Sequence, residues 1–324
     1  MRSFSLLFIT ALSALALHAL SAEAASKKIP VILDTDIGDD IDDTWALGLL
    51  LKSPELDLKL VTTDLGDTVY RAKIVAKLLE AAGRTDVAVG VGIRQGSGGG
   101  RQDAWVAGYD LARYPGKVHQ DGVQALIDTI MQSPEPITLI CIGPMPNIKA
   151  ALAKQPEIAR RAKFVGMHGS VRVGYGGNKS KTDAEYNVVR DAPACQKAFT
   201  APWPMLITPL DTCGLVHLRG AKYKAVAESN DPVAKAVIEN YRAWWRVGNQ
   251  GKPEKIDASS TLFDTVAVYL AFSTDLVKVE RLPIRVTDKG FTEIHEGSKS
   301  IDCAVEWKDL AAFEDLLVAR LTGK

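Results

Sequence analysis

Six aspartates crowd the ten positions from Asp34 to Asp43, in the run Asp34-Thr35-Asp36-Ile37-Gly38-Asp39-Asp40-Ile41-Asp42-Asp43, directly after an apolar, β-prone stretch. Carboxylates a few ångströms apart repel and raise one another's pKa, so a folded loop holding this many calls for a bound hard cation. Calcium fits best, since it takes about six to eight oxygen ligands. Such an ion lowers the pKa of a water in its shell, and a carboxylate touching both can accept the proton as general base. Acids at a helix N-terminus also satisfy the helix dipole, which is a purely structural account of Asp42 and Asp43. That account uses one or two acids, not six.

For these carboxylates to converge, the run must leave a buried strand and enter a helix. Short apolar runs suited to buried parallel strands recur at Val31 to Leu33, Leu58 to Thr62, Val87 to Val91, Ile137 to Ile142, Phe164 to Met167 and Met205 to Thr208. Helical periodicity separates most of them, over Asp43 to Leu51, Val69 to Ala82, Val123 to Met131, Ile148 to Ala153 and Pro193 to Phe199. Further helices are expected over Asp231 to Val247 and Thr261 to Ala271. After Leu276 come β-like runs at Val277 to Val279, Ile284 to Thr287 and Phe291 to Ile294, then a last helix from Trp307 to Leu321. This alternation predicts an α/β fold, a mostly parallel central sheet with helices on both faces. In open sheets of that kind ligands gather outside the carboxyl ends of the strands, which is where the Asp-rich run falls. The glycine tract Gly96 to Gly100 lacks the Lys-Ser/Thr of a phosphate-binding loop and reads as a mobile loop.

Arg2, the apolar core Phe4 to Leu20 and the small-residue site Ala22-Glu23-Ala24 predict a cleaved signal peptide over residues 1–24. Ser13, His18 and Ser21 and the lack of a stop-transfer flank argue against a membrane anchor. The expectation is an exported protein, periplasmic or secreted, with no membrane association after cleavage, and with residues 25–324 as one domain. Its 39 basic and 39 acidic residues leave no basic footprint for a nucleic-acid polymer, so a small-molecule partner is expected. Cys141, Cys195, Cys213 and Cys303 form no Cys-x-x-Cys pair, which gives a zinc site no support, and Cys141 reads as a buried structural thiol.

Other chemistry-bearing residues follow in an ordered series: Val61-Thr62-Thr63-Asp64-Leu65-Gly66-Asp67, Ile142-Gly143-Pro144 with Asn147, Met167-His168-Gly169, Gly177-Asn178, Ala184-Glu185-Tyr186-Asn187 and Leu262-Phe263-Asp264. Opened by Asp34-Thr35-Asp36 and Asp42-Asp43, this series resembles the inosine-uridine preferring nucleoside hydrolase family over nearly all of residues 25–324. The resemblance implies a Rossmann-like domain of nucleoside hydrolase type that hydrolyses the N-glycosidic bond of a nucleoside or related riboside, giving free base and ribose, and that forms homodimers or homotetramers. It implies calcium held by Asp36, Asp43, Asp264 and the carbonyl of Ile142, with Asp36 activating the water. Asp42, Asp67, Met167, Asn178, Glu185 and Asn187 then grip the sugar.

Four departures qualify it. The Asp-rich run is two residues longer than the family spacing, so a register using Asp39 and Asp40 keeps Asp40 as a ligand candidate. Asp67 stands where an asparagine is common, and as a carboxylate it cannot donate. Phe263 replaces a histidine often linked to leaving-group activation. His119, in His119-Gln120-Asp121-Gly122, resembles another histidine region of the family but is one residue short; it reads equally as the residue ahead of a helix capped by Asp121. Trp105, Tyr241, Trp244 and Trp245 are candidates for stacking on a base, although helical aromatics are more often core. Two other functions share the opening motif: a haloacid dehalogenase-like phosphatase, which also begins Asp-x-Asp after a strand, and an exported riboside-binding protein without turnover.

Overall fold

The computed structural model describes residues 27–96, 100–250, 252 and 255–324. The predicted signal peptide, and residues 97–99 of the glycine tract, lie outside the described residues. Ten strands form one sheet: β1 (Ile29–Thr35), β2 (Leu56–Thr63), β3 (Ala88–Val91), β4 (Val118–His119), β5 (Ile137–Cys141), β6 (Ala162–Met167), β7 (Met205–Thr208), β8 (Val277–Val286), β9 (Thr292–Ile294) and β10 (Ser300–Trp307). Their order is β4-β3-β2-β1-β5-β6-β7-β10-β8-β9. Pairing is parallel from β4 through to β10, and β8 and β9 add an antiparallel edge. The expected α/β fold with a mostly parallel sheet is what the chain forms.

Successive side chains of a strand point to opposite faces. Accordingly Val31 and Leu33 of β1 join one hydrophobic core and Ile32 the other, all without solvent exposure. Helices cover both faces. The helix Asp42–Leu51 carries Trp45, Ala46, Leu47, Leu49 and Leu50 into the first core, where Trp45 meets Tyr241 edge-on at 5.9 Å between ring centroids. Truncating a buried leucine there, Leu47→Ala, costs about 2–5 kcal/mol of stability.

The chain winds from β1 through β2 and β3 to β4 on one side, then returns to lay β5, β6 and β7 on the other. β1 and β5 are therefore the pair where the winding reverses, with Asp34 opposite Cys141 in register. Loops leaving two such neighbours diverge above and below the sheet, and the crevice between them is the usual ligand site. Two strands were not anticipated from the sequence. β4 has only two residues, and β10 reads Ser-Ile-Asp-Cys-Ala-Val-Glu-Trp, too mixed to stand out; the last helix starts after it, at Leu310, with Asp309 capping the amide of Ala312. Among the described residues no helix is long and apolar enough to cross a membrane.

Candidate active site

At the β1–β5 crevice lies a cavity of about 310 Å³. Asp36, Asp40, Asp42, Asp43, Ile142, Met167, Glu185, Asn187 and Asp264 all line it, so nine residues singled out from the sequence converge there. Asp36, Asp42, Asp43, Glu185 and Asp264 are buried and form its floor, whereas Asp40, Tyr175 and Tyr186 are exposed at its rim.

The geometry follows from the path of the chain between β1 and the helix Asp42–Leu51. Thr35, the last residue of β1, donates its hydroxyl to Asp43 and accepts from the amide of Ile37 at 3.1 Å. The next four carbonyls are each held by a different side chain. Buried Arg71 donates to Ile37 O at 2.9 Å, the Tyr70 hydroxyl to Gly38 O at 3.0 Å, the Trp244 indole to Asp39 O at 3.0 Å and the Gln102 amide to Asp40 O at 2.8 Å. Gly38 has φ +121°, and a Cβ there would lie 2.8 Å from the Tyr70 ring, so only glycine fits this turn. The two-residue expansion is thus a built segment that carries the Asp39 and Asp40 side chains to the cavity.

Carboxylate oxygens of Asp42, Asp43 and Asp264 come within 4.8 Å of one another. Burial, and then the charge of neighbouring aspartates, raises all three carboxyls well above the ordinary range. Asp36 is pushed up to about 6 by burial, against the pull of Arg71. An all-oxygen set of mutually repelling buried acids fits a hard divalent cation, which supplies the charge they lack. Asp42, expected at the sugar, belongs geometrically to this cluster as well.

Glu185 and Asn187 build the opposite wall. Glu185 caps the helix Tyr186–Arg190, accepting from the amides of Asn187 at 2.8 Å and Val188 at 3.3 Å, and also from Gly169 at 3.0 Å. Burial lifts its carboxyl to about 7 despite those three donors. The Asn187 amide donates to the carbonyls of Ile142 and Met167, each at 3.0 Å, and so ties the ends of β5 and β6 together. Behind the cavity Asp34 accepts from Thr62 and, at 2.8 Å, from Asn147.

Three expected site residues are not brought to the cavity. Asp67 caps the helix Thr68–Ala81, accepting from the amides of Val69 and Tyr70 at 3.1 Å each. Asn178 closes a turn, accepting from the amide of Ser180 at 2.9 Å and from its hydroxyl at 2.7 Å. His119 ends the short strand β4 beside the sheet edge, ahead of the helix that Asp121 caps. Nor do the four helical aromatics line the cavity: Trp105 and Tyr241 are core, and Trp244 is spent on Asp39 and beneath Arg101. The aromatic lining comes instead from Tyr175, Tyr186 and Phe263, with Tyr175 and Phe263 edge-on at 6.1 Å. Tyr186 could have been found from its place in Ala-Glu-Tyr-Asn; Tyr175 opens a three-residue 3-10 turn and Arg101 lies in a turn, segments too short to carry a periodic signal.

A doubly wound sheet with buried carboxylates gathered in a pocket at its switch point is the architecture of a class of proteins that take a small ligand there, with an acid cluster that could hold a divalent cation. Within that class, the chain belongs to the inosine-uridine preferring nucleoside hydrolase family, whose profile matches residues 31–313 and whose members are metal-dependent enzymes that cleave N-glycosidic bonds. It is 30% identical over 225 residues to the pyrimidine-specific ribonucleoside hydrolase RihA of Enterobacter sp. strain 638, covering 65% of this chain and 69% of that protein. It is also 30% identical over 229 residues to the non-specific ribonucleoside hydrolase RihC of Klebsiella pneumoniae, covering 67% and 73%. Among solved structures, the plant nucleoside hydrolase PpNRh1 superposes with a TM-score of 0.77 at 25% identity, covering 92% of this chain and all of that one. A purine-preferring ribonucleoside hydrolase from Gardnerella vaginalis shares the fold, with a TM-score of 0.72 at 23% identity over 91% and 98% of the two chains. The family leaves no support for the phosphatase alternative.

Proposed function

We propose that residues 25–324 form a single catalytic domain that hydrolyses the N-glycosidic bond of a ribonucleoside with calcium as cofactor. The carrying observation is the convergence of Asp36, Asp42, Asp43, Asp264 and Ile142 on one cavity. Asp36, Asp43, Asp264 and the Ile142 carbonyl hold the ion, with Asp40 and Asp42 as further oxygen donors; when bound, it lowers the pKa of water. Asp36 takes the proton of the attacking water as general base. Cleavage builds positive charge on the sugar ring, which Glu185 and the neighbouring carboxylates stabilise, while Asp42 and Asn187 orient the hydroxyls beside Met167. The base lies toward Tyr175, Tyr186 and Phe263, where one good stack is worth about 1–3 kcal/mol. Export to the periplasm or medium is supported by Arg2, the apolar run Phe4 to Leu20 and Ala22-Glu23-Ala24.

The test is a panel of purine and pyrimidine nucleosides incubated with the mature protein, with calcium or with EDTA, beside an Asp36→Ala variant. Free base and ribose should appear only with calcium, and the variant should lose at least about 100-fold in turnover. Activity indifferent to both chelation and the substitution would falsify this mechanism. Tight riboside binding without turnover would instead favour the binding protein, a reading that Phe263 keeps in view.

A further inference from the structure

We propose that His168 is a positioning residue for the metal site, its Nε2–H holding the Gly143 carbonyl so that the tip of β5 presents the Ile142 carbonyl and stays packed against Asp36. The proposal rests on the metal-dependent reading above and deepens it.

His168 follows the last residue of β6 and is fully buried. Its Nε2 lies 3.0 Å from the carbonyl oxygen of Gly143. A carbonyl only accepts, so the proton sits on Nε2. The other ring nitrogen, Nδ1, is then bare, in keeping with its having no partner. Burial holds the ring neutral, with its pKa pushed down to about 4, so the donor stays in place across the physiological range. The imidazole is wedged between Phe164 and Phe199, at 5.9 and 6.4 Å between ring centroids. β6 makes room for it: a Cβ on Gly166 would lie 2.6 Å from Nδ1.

The consequence reaches the ligands through Gly143. A Cβ on that glycine would sit 2.9 Å from both the amide nitrogen and the Oδ1 of Asp36, so its backbone is the surface against which Asp36 rests. The preceding carbonyl, of Ile142, is held by the Asn187 amide at 3.0 Å. Two successive carbonyls at the end of β5 are therefore fixed by two buried side chains, one from the end of β6 and one from the helix Tyr186–Arg190. With both in place the Ile142–Gly143 turn has one orientation. Without the His168 donor, Gly143 O is left buried and unpaired, and the turn is free to rotate toward another donor.

His168→Phe keeps the ring and removes the donor; His168→Gln restores an N–H near the position of Nε2. The readout is the calcium dissociation constant by titration calorimetry, taken beside the melting temperature of each protein in EDTA. The phenylalanine variant should bind calcium about 10- to 100-fold more weakly, as is usual when a group orienting a metal ligand is lost, and the glutamine variant should recover most of that loss. A folded phenylalanine variant binding calcium within about twofold of wild type, or a glutamine variant no better than the phenylalanine one, overturns the proposal. The ¹⁵N shifts of the His168 ring in the unaltered protein should report the neutral Nε2–H tautomer; an Nδ1–H tautomer overturns the proposal even if the phenylalanine variant does not fold. Wild-type protein that binds no calcium refutes the metal reading itself, and this outcome is separate because it needs no variant.

Discussion

Phe263 precedes Asp264 at the cavity, in the position where the family series often has histidine. It cannot donate a proton, and among the described lining residues there is no histidine to take over. Arg101 lines the cavity as a fixed cation, stacked on Trp244 with its guanidinium 4.3 Å from the ring centroid. Although both rings are exposed at the rim, partial desolvation against the cavity wall makes the hydroxyls of Tyr175 and Tyr186 less acidic than usual, Tyr186 up to about 12. Under the proposed mechanism, departure of the base would rest on stacking and fixed charge, which would suit nucleosides whose base leaves readily. Phe263→His introduces a group that titrates near neutrality. Turnover of the poorest nucleoside substrates should rise by about tenfold or more, and kcat should acquire a new limb near pH 6.5. An unchanged pH profile in a folded Phe263→His protein would mean that position 263 does not reach the leaving base.

Helix caps and strand ends decide which acids take part in the chemistry. Asp67 and Asp121 sit in motifs that suggested site residues, yet both spend their carboxylates on helix amides. Replacing a capping aspartate by alanine costs about 0.5–2 kcal/mol, whereas asparagine caps nearly as well. Asp67→Ala should therefore lower the melting temperature while leaving KM for nucleosides within about twofold, and Asp67→Asn should leave both the melting temperature and KM close to those of the unaltered protein. A large rise in KM for both variants would return Asp67 to the sugar. The same contrast accounts for what was legible in the sequence. β1, β5 and β6 announced themselves because strands buried on both faces read as near-continuous apolar runs, β2 did so despite its exposed Lys59, and the acids placed directly after β1 could be assigned to the switch point. β10 mixes polar with apolar residues, and β4 is two residues long, so neither has a period to detect. The acids that converge on the cavity were readable because carboxylates this dense repel one another in a fold unless a cation binds among them. Tyr175 and Arg101 depend on which segments fold over the cavity, and Asp67, His119 and Asn178 lie away from it because motif spacing does not say where the backbone carries a side chain or whether its hydrogen bonds are already used by its own turn.

The whole molecule carries the cost of that density. Without a cation, Asp34 and Asp36 have their carboxyls raised to about 6 and Glu185 to about 7, in each case by burial first, while Asp42, Asp43, Asp64 and Asp264 stand well above the ordinary range. Unfolded aspartate and glutamate titrate at about 3.9 and 4.3. Between those values and the folded ones the native state holds more protons than the unfolded chain, so stability falls as pH rises. The contribution is complete below about pH 4 and is lost as pH passes through about 6 to 7 and beyond. A bound divalent ion reverses this, because it favours the ionised carboxylates and binds the folded state alone. The melting temperature of EDTA-treated protein should therefore drop from about pH 5 to about pH 8, while calcium-loaded protein changes little, so that the gap between the two curves widens with pH. Differential scanning calorimetry across that range decides it. Parallel curves would mean that calcium does not meet these acids, and a gap that narrows with rising pH would mean that they are already ionised in the metal-free fold.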